Sequence, residues 1–398
     1  MTELTFSLMT TDSPRLNQLR ELLATFKKQS GVEVRLRPMA WEQAWAEIVR
    51  VALYSQGPDV SEIGNTWLRD LVEMRELRPL HASEERRLGS REDFVPSAWD
   101  SSLVTGSPER WAFPWLVDTR LIYYRRDLLQ KAGLDEESAF KSFTALEETL
   151  ETLQAAHVDS PWVVPTTPTT MTLHNVAGWV WSAGGSFLTT DGKKVLVNRP
   201  EAHKALSRYF GLGRYLAPPA RYLDARQSDA FFWRGDAAVT ISGPWLLAER
   251  MVDPALRDRV GVTIPPGIPF VGGSQLVVWQ HTRHDRQAVQ LLYFLTQEEF
   301  QARYSTMVGL LPARVSAIQK TQFPPQIKVD ALQEGLMRGR SFRPLPLWGL
   351  VEERLVEGLA TIWQDVLENP TTDLGTILDR QLNPLTQRLG LILNQGRT

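Results

Sequence analysis

The first eighty residues alternate between short strand patterns and amphipathic helix patterns. Apolar positions at residues 4–9 predict a strand, and apolar residues recur at helical spacing over residues 16–26. Residues 32–37 alternate apolar and charged positions, which predicts a second strand. Residues 41–53 predict a second helix before a third strand at 59–63. This order is typical of an α/β domain with a mainly parallel sheet.

Capping residues set the limits of the first helix. Asp12 or Ser13 is expected to cap its start, with Pro14 at the first helical position, because either side chain can accept a hydrogen bond from a free backbone N–H. Gly31 is expected to end the helix, since glycine adopts the left-handed conformation of a helix end without strain.

The remaining strand patterns predict two lobes. They occupy residues 111–115, 119–124, 237–242, 260–264 and 274–279. Helical patterns occupy residues 126–132, 143–156, 172–182, 200–212, 229–232, 246–251, 285–295, 298–306 and 350–367. The strand order breaks near residues 115–120 and returns near 260, so we expect the chain to cross between two lobes more than once. The sequence has no low-complexity linker, which argues against domains on a flexible string.

Composition excludes several classes of function. The chain has 398 residues, enough for two or three domains, and its formal charge of −2 gives no electrostatic footprint for nucleic acid or an anionic membrane. Cysteine is absent and the six histidines lack a metal-ligand spacing, so we do not expect a transition-metal site. The sequence lacks a nucleophile elbow, a P-loop and a dinucleotide-binding motif. A pair of glycosidase carboxylates stays open as an alternative.

Tryptophan is unusually frequent, and its positions suggest a ligand. The chain has 14 tryptophans, and several follow predicted strand ends, where open α/β sheets bind ligands. We expect Trp67, Trp245 and Trp348 to contact a ligand, because an indole face stacks on the apolar face of a sugar while amides and carboxylates bind its hydroxyls. The other tryptophans considered are expected in the core: Trp45, Trp99, Trp162, Trp279 and Trp363.

Several segments, in order, carry a family resemblance. They are Gly57-Pro58-Asp59-Val60 followed by Leu77-Arg78-Pro79-Leu80, Phe113-Pro114-Trp115 followed by Ile122-Tyr123-Tyr124-Arg125-Arg126-Asp127-Leu128-Leu129, Phe232-Trp233-Arg234-Gly235-Asp236-Ala237-Ala238-Val239 followed by Ser242-Gly243-Pro244-Trp245, and Gly272-Gly273-Ser274. Each is weak alone, but their order and spacing resemble the extracellular solute-binding proteins of ABC importers, the group that includes maltose-, trehalose- and glycerol-3-phosphate-binding proteins. The resemblance covers nearly the whole chain.

The resemblance implies a type II periplasmic-binding-protein fold, with two α/β lobes, each a mainly parallel sheet flanked by helices. Residues 1–116 and 261–312 would form the N-terminal lobe, residues 117–260 and 313–398 the C-terminal lobe, and about three crossings the hinge. The solute would lie in the cleft and contact both lobes only when they are closed, so that binding would favour the closed state, which would deliver the solute to a membrane permease. A monomer without cofactor or catalysis is implied.

The resemblance also implies an exported protein, often lipid-anchored through an N-terminal cysteine. The N-terminus MTELTFSLMT lacks the basic and apolar regions of a signal peptide. The chain is therefore either cytoplasmic as written or trimmed before Thr2, and the resemblance favours the second interpretation and a periplasmic or extracellular location. No stretch of 18 or more apolar residues predicts a transmembrane helix.

The resemblance and the tryptophan pattern together give a set of expected solute contacts. Asp118 could instead cap the hinge, His174 could instead lie on the surface, and Arg314 could bind two ring hydroxyls, a carboxylate or a phosphate through its fork of N–H donors. The full set is Thr10, Thr11, Trp41, Glu42, Asn65, Thr66, Trp67, Trp115, Asp118, His174, Trp179, Trp181, Trp245, Gly273, Ser274, Gln275, Arg314 and Trp348.

The solute stays open between two classes. Several tryptophans with few clustered cations favour a neutral di- or oligosaccharide, or a glycosylated polyol such as glucosylglycerol. A glycerol-phosphate compound is the alternative, favoured if Arg314 has a second cationic partner at the site. A carbohydrate hydrolase is the enzyme alternative, and a binding subunit that signals to a membrane receptor is a third.

Overall fold

The computed structural model describes residues 2–248 and 254–395, apart from the side chains of Glu42, Leu247, Ala248 and Gln395. The chain forms two compact units. The first consists of Met1–Asp118, Val271–Phe323 and Ser341–Trp348, and the second of Thr119–Phe270, Pro324–Arg340 and Gly349–Thr398.

Strands and helices alternate through most of the chain. The strands are β1 (Glu3–Leu8), β2 (Glu33–Pro38), β3 (Val60–Gly64), β4 (Ala112–Thr119), β5 (Leu121–Arg125), β6 (Trp162–Val163), β7 (Val239–Ser242), β8 (Val260–Thr263), β9 (Val271–Val278) and β10 (Leu311–Pro312). The α-helices are α1 (Ser13–Ser30), α2 (Trp41–Tyr54), α3 (Leu68–Glu73), α4 (Ala82–Leu88), α5 (Pro96–Ser101), α6 (Arg126–Lys131), α7 (Phe143–Ala155), α8 (Thr170–Ser182), α9 (Pro200–Gly211), α10 (Ala225–Trp233), α11 (Pro254–Arg257), α12 (Asp285–Leu295), α13 (Glu298–Val308), α14 (Val315–Ile318), α15 (Val329–Arg338), α16 (Trp348–Glu368) and α17 (Leu374–Gln395). Short 3₁₀ helices span Arg91–Asp93, Leu212–Tyr215, Pro218–Ala220 and Pro244–Ala248. The predicted helix at 246–251 lies partly outside the described residues.

The first unit contains a mixed six-stranded sheet in the order β10-β4-β9-β3-β1-β2. β1 pairs in parallel with both β2 and β3, as the strand–helix pattern predicts. β9 instead runs antiparallel to β3, and β10 antiparallel to β4. β9 and β10 follow the chain's return from the second unit rather than a strand–helix–strand crossover, which is the connection that makes strands parallel.

The second unit contains a four-stranded sheet in the order β6-β7-β5-β8. β6 and β7 are parallel, whereas β5 runs antiparallel to both of its neighbours. Both sheets are therefore mixed, which differs from the mainly parallel sheets expected from the sequence. Helices pack on these sheets, so the α/β class itself agrees with the sequence analysis.

The boundaries of the units differ from the expected ones. Residues 261–270 belong to the second unit because β8 pairs with β5, with Thr263 opposite Ile122. Residues 313–323 belong to the first unit, where the Ala313 N–H donates to the Trp115 carbonyl at 3.1 Å. The chain passes between the units five times, after residues 118, 270, 323, 340 and 348, rather than about three times.

Asp12 and Gly31 bound the first helix as expected, whereas Pro14 lies at its second position because α1 begins at Ser13. Asp12 is the N-cap of α1, its carboxylate accepts from the Arg15 N–H at 2.9 Å, and Gly31 ends the helix with φ of 72°. Some helices were not predicted, among them α4 and α5. In α4 only Leu88 is buried, so its sequence lacks an apolar stripe.

The tryptophans expected in the core lie there or at its edge. Trp162, Trp279 and Trp363 are fully buried, and Trp99 is buried too. Trp45 is half-buried and packs against the core cluster that contains Trp279. Over residues 2–248 and 254–395, no helix combines the length and the apolar character that crossing a bilayer requires. The same residues contain no group of three or more histidines and carboxylates arranged to hold a metal ion.

Candidate functional site

In each unit, a strand ends at or just before a glycine, and a tryptophan folds back over that glycine. β3 ends at Gly64, where a Cβ atom would lie 2.9 Å from the ring of Trp67. β7 ends one residue before Gly243, where a Cβ atom would lie 2.0 Å from the ring of Trp245. Only glycine lets an indole approach the backbone this closely. Both rings are thereby fixed beside the carboxyl end of a strand, where α/β sheets bind ligands.

Three tryptophans cluster in the first unit. The centre of the Trp67 ring lies 6.0 Å from that of Trp41, with an angle of 65° between the ring planes. It lies 5.3 Å from the centre of the Trp45 ring, with an angle of 50° between the planes. Trp41 is 44% exposed and Trp67 is half-buried, so the cluster offers indole surface to solvent. Glu42 is in the same helix, but its side chain lies outside the described residues.

The loop after β3 is held by polar contacts within the first unit. The Asn65 N–H donates to the Gly273 carbonyl at 3.2 Å, and the Asn65 side-chain amide donates to Ser341 Oγ at 3.3 Å. Thr66 is 7% exposed, so its side chain faces inward. Gly273 has φ of 143°, and a Cβ there would lie 2.2 Å from the Leu116 carbonyl oxygen. Gly273 therefore serves close strand packing, and its carbonyl holds the Asn65 loop.

Two threonines follow β1 on a turn tied to a buried carboxylate. Thr10 is half-buried and Thr11 is exposed, and the Asp12 N–H donates to Thr10 Oγ1 at 3.4 Å. Just before them, the Met9 N–H donates to Glu62 Oε2 at 2.7 Å. Glu62 is 3% exposed. Burial raises its pKa to about 6, against the opposing effects of Ser274 and the Met9 N–H.

Four of the expected contacts of the first unit lie inside it or are engaged by protein atoms. Ser274 lies beside Glu62, and Gln275 donates its amide to Ser101 Oγ at 3.2 Å. Trp115 is fully buried, with its ring stacked on Tyr304 at 5.0 Å, and Trp348 is 2% exposed. These side chains present no surface to a solute in this structure.

Arg314 forms a clamp between chain segments of the first unit. Its Nε donates to the Thr296 carbonyl and its Nη2 to the Leu88 carbonyl, both at 2.8 Å. Its guanidinium also lies 3.6 Å from Asp93 and 4.6 Å from the centre of the Phe94 ring. These contacts occupy the fork of donors that was expected to bind a solute, so the structure gives Arg314 a structural role.

In the second unit, Trp245 is half-buried and held at its edge and its face. Its Nε1 donates to the Asp229 carboxylate at 3.2 Å. The Arg120 guanidinium lies 5.0 Å from the centre of its ring, within the range of a cation–π contact. The Tyr123 hydroxyl donates to the Gly243 carbonyl at 2.7 Å, which fixes the backbone beneath the indole.

Phe270 is the centre of an aromatic cluster in the second unit. The rings of His174 and Trp181 stack on the Phe270 ring, with distances between ring centres of 4.1 Å and 6.2 Å. The Arg120 guanidinium lies 5.6 Å from the Phe270 ring centre. The pKa of His174 is well below its usual value because of burial and, next, the charge of Arg120, so the imidazole is neutral near pH 7. We call these residues together with Trp245 the Phe270 cluster.

The remaining expected contacts occupy different surroundings. Trp181 is 4% exposed, with the Arg340 guanidinium 4.9 Å from its ring centre. Trp179 is also 4% exposed and packs between Phe143 and Tyr209 in the core of the second unit. Asp118, the last residue of the first segment of the first unit, is half-buried.

Three residues were missed by the sequence analysis, Glu62 in the first unit and Arg120 and Phe270 in the second. Glu62 carries a visible signal, since it is the single charge in an otherwise small and apolar strand. Arg120 and Phe270 carry none, because their role depends on the sheet of the second unit bringing residues 120, 174, 245 and 270 together.

A family model and sequence relatives that match this chain are all named as binding proteins. Residues 21–332 match the family model described as bacterial extracellular solute-binding protein. A probable ABC transporter-binding protein of Deinococcus radiodurans is 26% identical over 214 residues, and the match covers 50% of each chain. The chain thus spans half the length of that relative. The diacetylchitobiose binding protein DasA of Streptomyces coelicolor is 23% identical over 345 residues, 83% of this chain and 78% of that protein.

A solved structure gives the same fold. The sugar-binding protein MalE from Xanthomonas citri superposes with a TM-score of 0.82 at 23% identity, over 100% of this chain and 98% of that one. At this identity the likeness concerns the fold alone, and it confirms the expected type II periplasmic-binding-protein fold.

Proposed function

The chain belongs to the bacterial extracellular solute-binding proteins, and from that premise we propose that it captures a sugar or glycosylated polyol and delivers it to the permease of an ABC importer. The proposal includes export to the periplasm or cell surface, work as a monomer, and release of the solute unchanged. No cofactor takes part in it.

The glycine-backed indoles carry the proposal. Trp67 and Trp245 are each half-buried, each lies beside a strand end, and each is fixed over a glycine. A rigid, partly exposed indole is suited to the apolar face of a pyranose ring, because little conformational freedom is lost when the sugar stacks on it. DasA, the relative named for a sugar, supports the same class of solute.

The proposed contact set is smaller than the set expected from the sequence. We propose that exposed and half-buried side chains touch the solute, and that the buried members of the expected set support them from behind. The proposed contacts are Thr10, Thr11, Trp41, Asn65, Trp67, Asp118, His174 and Trp245.

A phosphorylated or acidic solute is the second candidate. Arg314, paired with a second cation, was expected from the sequence to favour a phosphorylated solute. The Arg314 guanidinium instead donates to backbone carbonyls. The guanidinium of Arg340, which lies 4.9 Å from the ring centre of Trp181, is the observation that favours a solute with an anionic group. A panel of neutral disaccharides, oligosaccharides and glucosylglycerol, set against sugar phosphates and glycerol phosphates, separates the two candidates.

Titration followed by intrinsic tryptophan fluorescence and calorimetry tests the proposal. A neutral saccharide is expected to bind, and Trp245→Ala and Trp67→Ala each to weaken binding about tenfold or more, as for aromatic anchors in general. Tyr54→Ala is the control, because Tyr54 is 71% exposed at the far end of α2. Parent-like affinity in Trp245→Ala would contradict the stacking role.

Product analysis tests the enzyme alternative. After incubation with oligosaccharides, chromatography with mass detection should recover all of the solute intact. Accumulation of shorter sugars, in proportion to protein and time, would instead support a hydrolase.

A further inference from the structure

Two carboxylates of the β3 segment accept hydrogen bonds from backbone amides, one from an amide within β1 and one from the amide just after its end. Asp59, just before β3, accepts from the Thr5 N–H at 2.8 Å and from the Thr282 hydroxyl at 2.6 Å. Glu62, within β3, accepts from the Met9 N–H at 2.7 Å. The parallel register sets Phe6 opposite Val60, so the amide of Met9 lies beyond the last paired residues of the two strands. Glu62 replaces the ladder partner that this amide lacks.

The Met9 amide is the first link of a turn that leads to the proposed solute contacts. After Met9 the chain presents Thr10 and the exposed Thr11, and the Asp12 N–H returns to Thr10 Oγ1 at 3.4 Å. Asp12 then caps α1. The turn of residues 9–12 is therefore held between Glu62 at one end and the start of a long helix at the other.

Glu62 is isolated from other charges. It is 3% exposed, and within the described ranges it has no ion-pair partner. Leu276 lies opposite it on β9, and Ser274 is nearby on the same strand. The titratable group beside it is the phenol of Tyr304 on α13, whose pKa is raised by burial and next by Glu62, and lowered by Arg15 of α1.

We propose that Glu62 is a positioning residue of the solute site: its ionised carboxylate holds the Met9 amide and so orders the turn that presents Thr10 and Thr11. This rests on the function proposed above, because it gives those threonines a role in solute capture. Glu62 acts through the backbone and does not touch the solute.

The proposal makes the turn sensitive to pH. A charged acceptor binds an N–H more strongly than a neutral one does. The pKa of Glu62 is raised to about 6 by burial, so the carboxylate gains a proton between pH 7.5 and pH 5. We expect the protection factor of the Met9 amide, which is the exchange rate in an unstructured chain divided by the observed exchange rate at the same pH, to fall roughly fivefold over that interval. The affinity for the solute should fall by a similar factor.

Hydrogen exchange without solute and calorimetry with solute, both between pH 5 and 7.5, test the proposal on the full chain. The amide side chain of Glu62→Gln would still accept a hydrogen bond but cannot ionise. In this variant the Met9 protection factor and the solute affinity should therefore no longer depend on pH. Asp59→Asn removes the carboxylate that holds the Thr5 amide within β1 and should keep the wild-type pH profile at residues 9–12. Glu62→Ala should expose the Met9 amide at every pH.

The outcomes separate this proposal from the function on which it rests. A pH-independent Met9 protection factor in the wild type would overturn it, and that measurement needs neither a variant nor a solute. A pH-dependent protection factor with a constant solute affinity would show an ordered turn with no role at the site, which also overturns it. If no saccharide in the panel binds, the proposed function fails, while the exchange data still decide whether Glu62 orders the turn.

Discussion

At the scale of single residues, the candidate site depends on glycine as much as on tryptophan. Gly243 lies beneath the Trp245 indole, and a Cβ there would overlap the ring at 2.0 Å. Gly243→Ala is therefore expected to displace the indole and weaken solute binding about as much as Trp245→Ala does. The emission spectrum and the dissociation constant measure the two effects.

Gly211→Ala is the matched control for that prediction. Gly211 lies in α9 of the same unit, and a Cβ there would meet its nearest neighbour at 3.7 Å, an ordinary contact. We expect unchanged solute affinity and a slight gain in stability, because alanine has a higher helix propensity than glycine. Solute affinity that survives in Gly243→Ala would show that the position of the indole does not matter.

Glu62 also gives the protein a pH-dependent stability with a definite sign. Its pKa is about 6 in the native state against 4.5 for an ordinary glutamate, so the native state binds the proton more tightly. The stabilisation from this proton is fully present below pH 4.5 and is lost as the pH rises through about 6. The shift corresponds to about 2 kcal/mol.

Comparison with Glu62→Gln isolates this contribution. Carboxylates with lowered pKa values, such as Asp127 and Asp365, act in the opposite direction and occur in both proteins. Denaturant unfolding should therefore give a difference in free energy, wild type minus variant, that falls by about 2 kcal/mol between pH 4 and pH 7. A difference that stays constant would mean that Glu62 has an ordinary pKa.

Solute contact by Trp67 and Trp245 stays a prediction, but their placement is compatible with it. Trp67 and Trp245 follow strand ends, and both are partly exposed. Trp348 was expected at the site for a similar reason, but it is buried against Phe342. Packing partners distant in sequence decide such cases, as they do for Trp115 on Tyr304. Periodicity carries no information about those partners.

At the scale of elements, helix ends are the best-predicted feature. The sequence offered Asp12 or Ser13 as the cap of α1, and the structure uses Asp12. Asp12→Ala should cost about 1 kcal/mol, because one N–H of the first turn loses its acceptor. Ser13→Ala is the control and should change stability by less than about 0.5 kcal/mol. Unfolding in urea compares the two, and equal losses would mean that the cap contributes little.

Strand direction is the element property that the sequence predicted least well. The first three strands are joined by helices and are parallel where they pair, as expected. β9 and β10 have similar strand patterns, but they enter the sheet after the chain has left the unit and returned. The pattern of apolar residues in a strand indicates which faces are buried, but not whether the strand runs parallel or antiparallel to its neighbours. The antiparallel pairing of β3 with β9 therefore could not be predicted from the sequence of either strand.

At the scale of the whole molecule, the sequence predicted two units but misplaced their limits. The break in strand order near residue 118 marks the first passage between them. The later limits were missed because short segments return to the first unit without a strand of their own, as Ser341–Trp348 does. Segments of this kind are identified by tertiary contacts, such as that of Asn65 with Ser341.

Solute binding should stabilise the whole molecule by mass action. The dependence of this stabilisation on solute concentration distinguishes binding at a site from the nonspecific stabilisation that sugars give to proteins in general. A specific solute at one hundred times its dissociation constant contributes about 2.7 kcal/mol, and the gain grows with the logarithm of its concentration. Sugars at molar concentration also stabilise proteins by exclusion from their surface, and that effect involves no site. Thermal unfolding at millimolar saccharide should therefore shift upward in the wild type and much less in Trp245→Ala, while molar sucrose shifts both equally. A millimolar shift of the same size in both proteins would assign the stabilisation to a mechanism that does not involve Trp245, and would remove the indole from the account of solute capture.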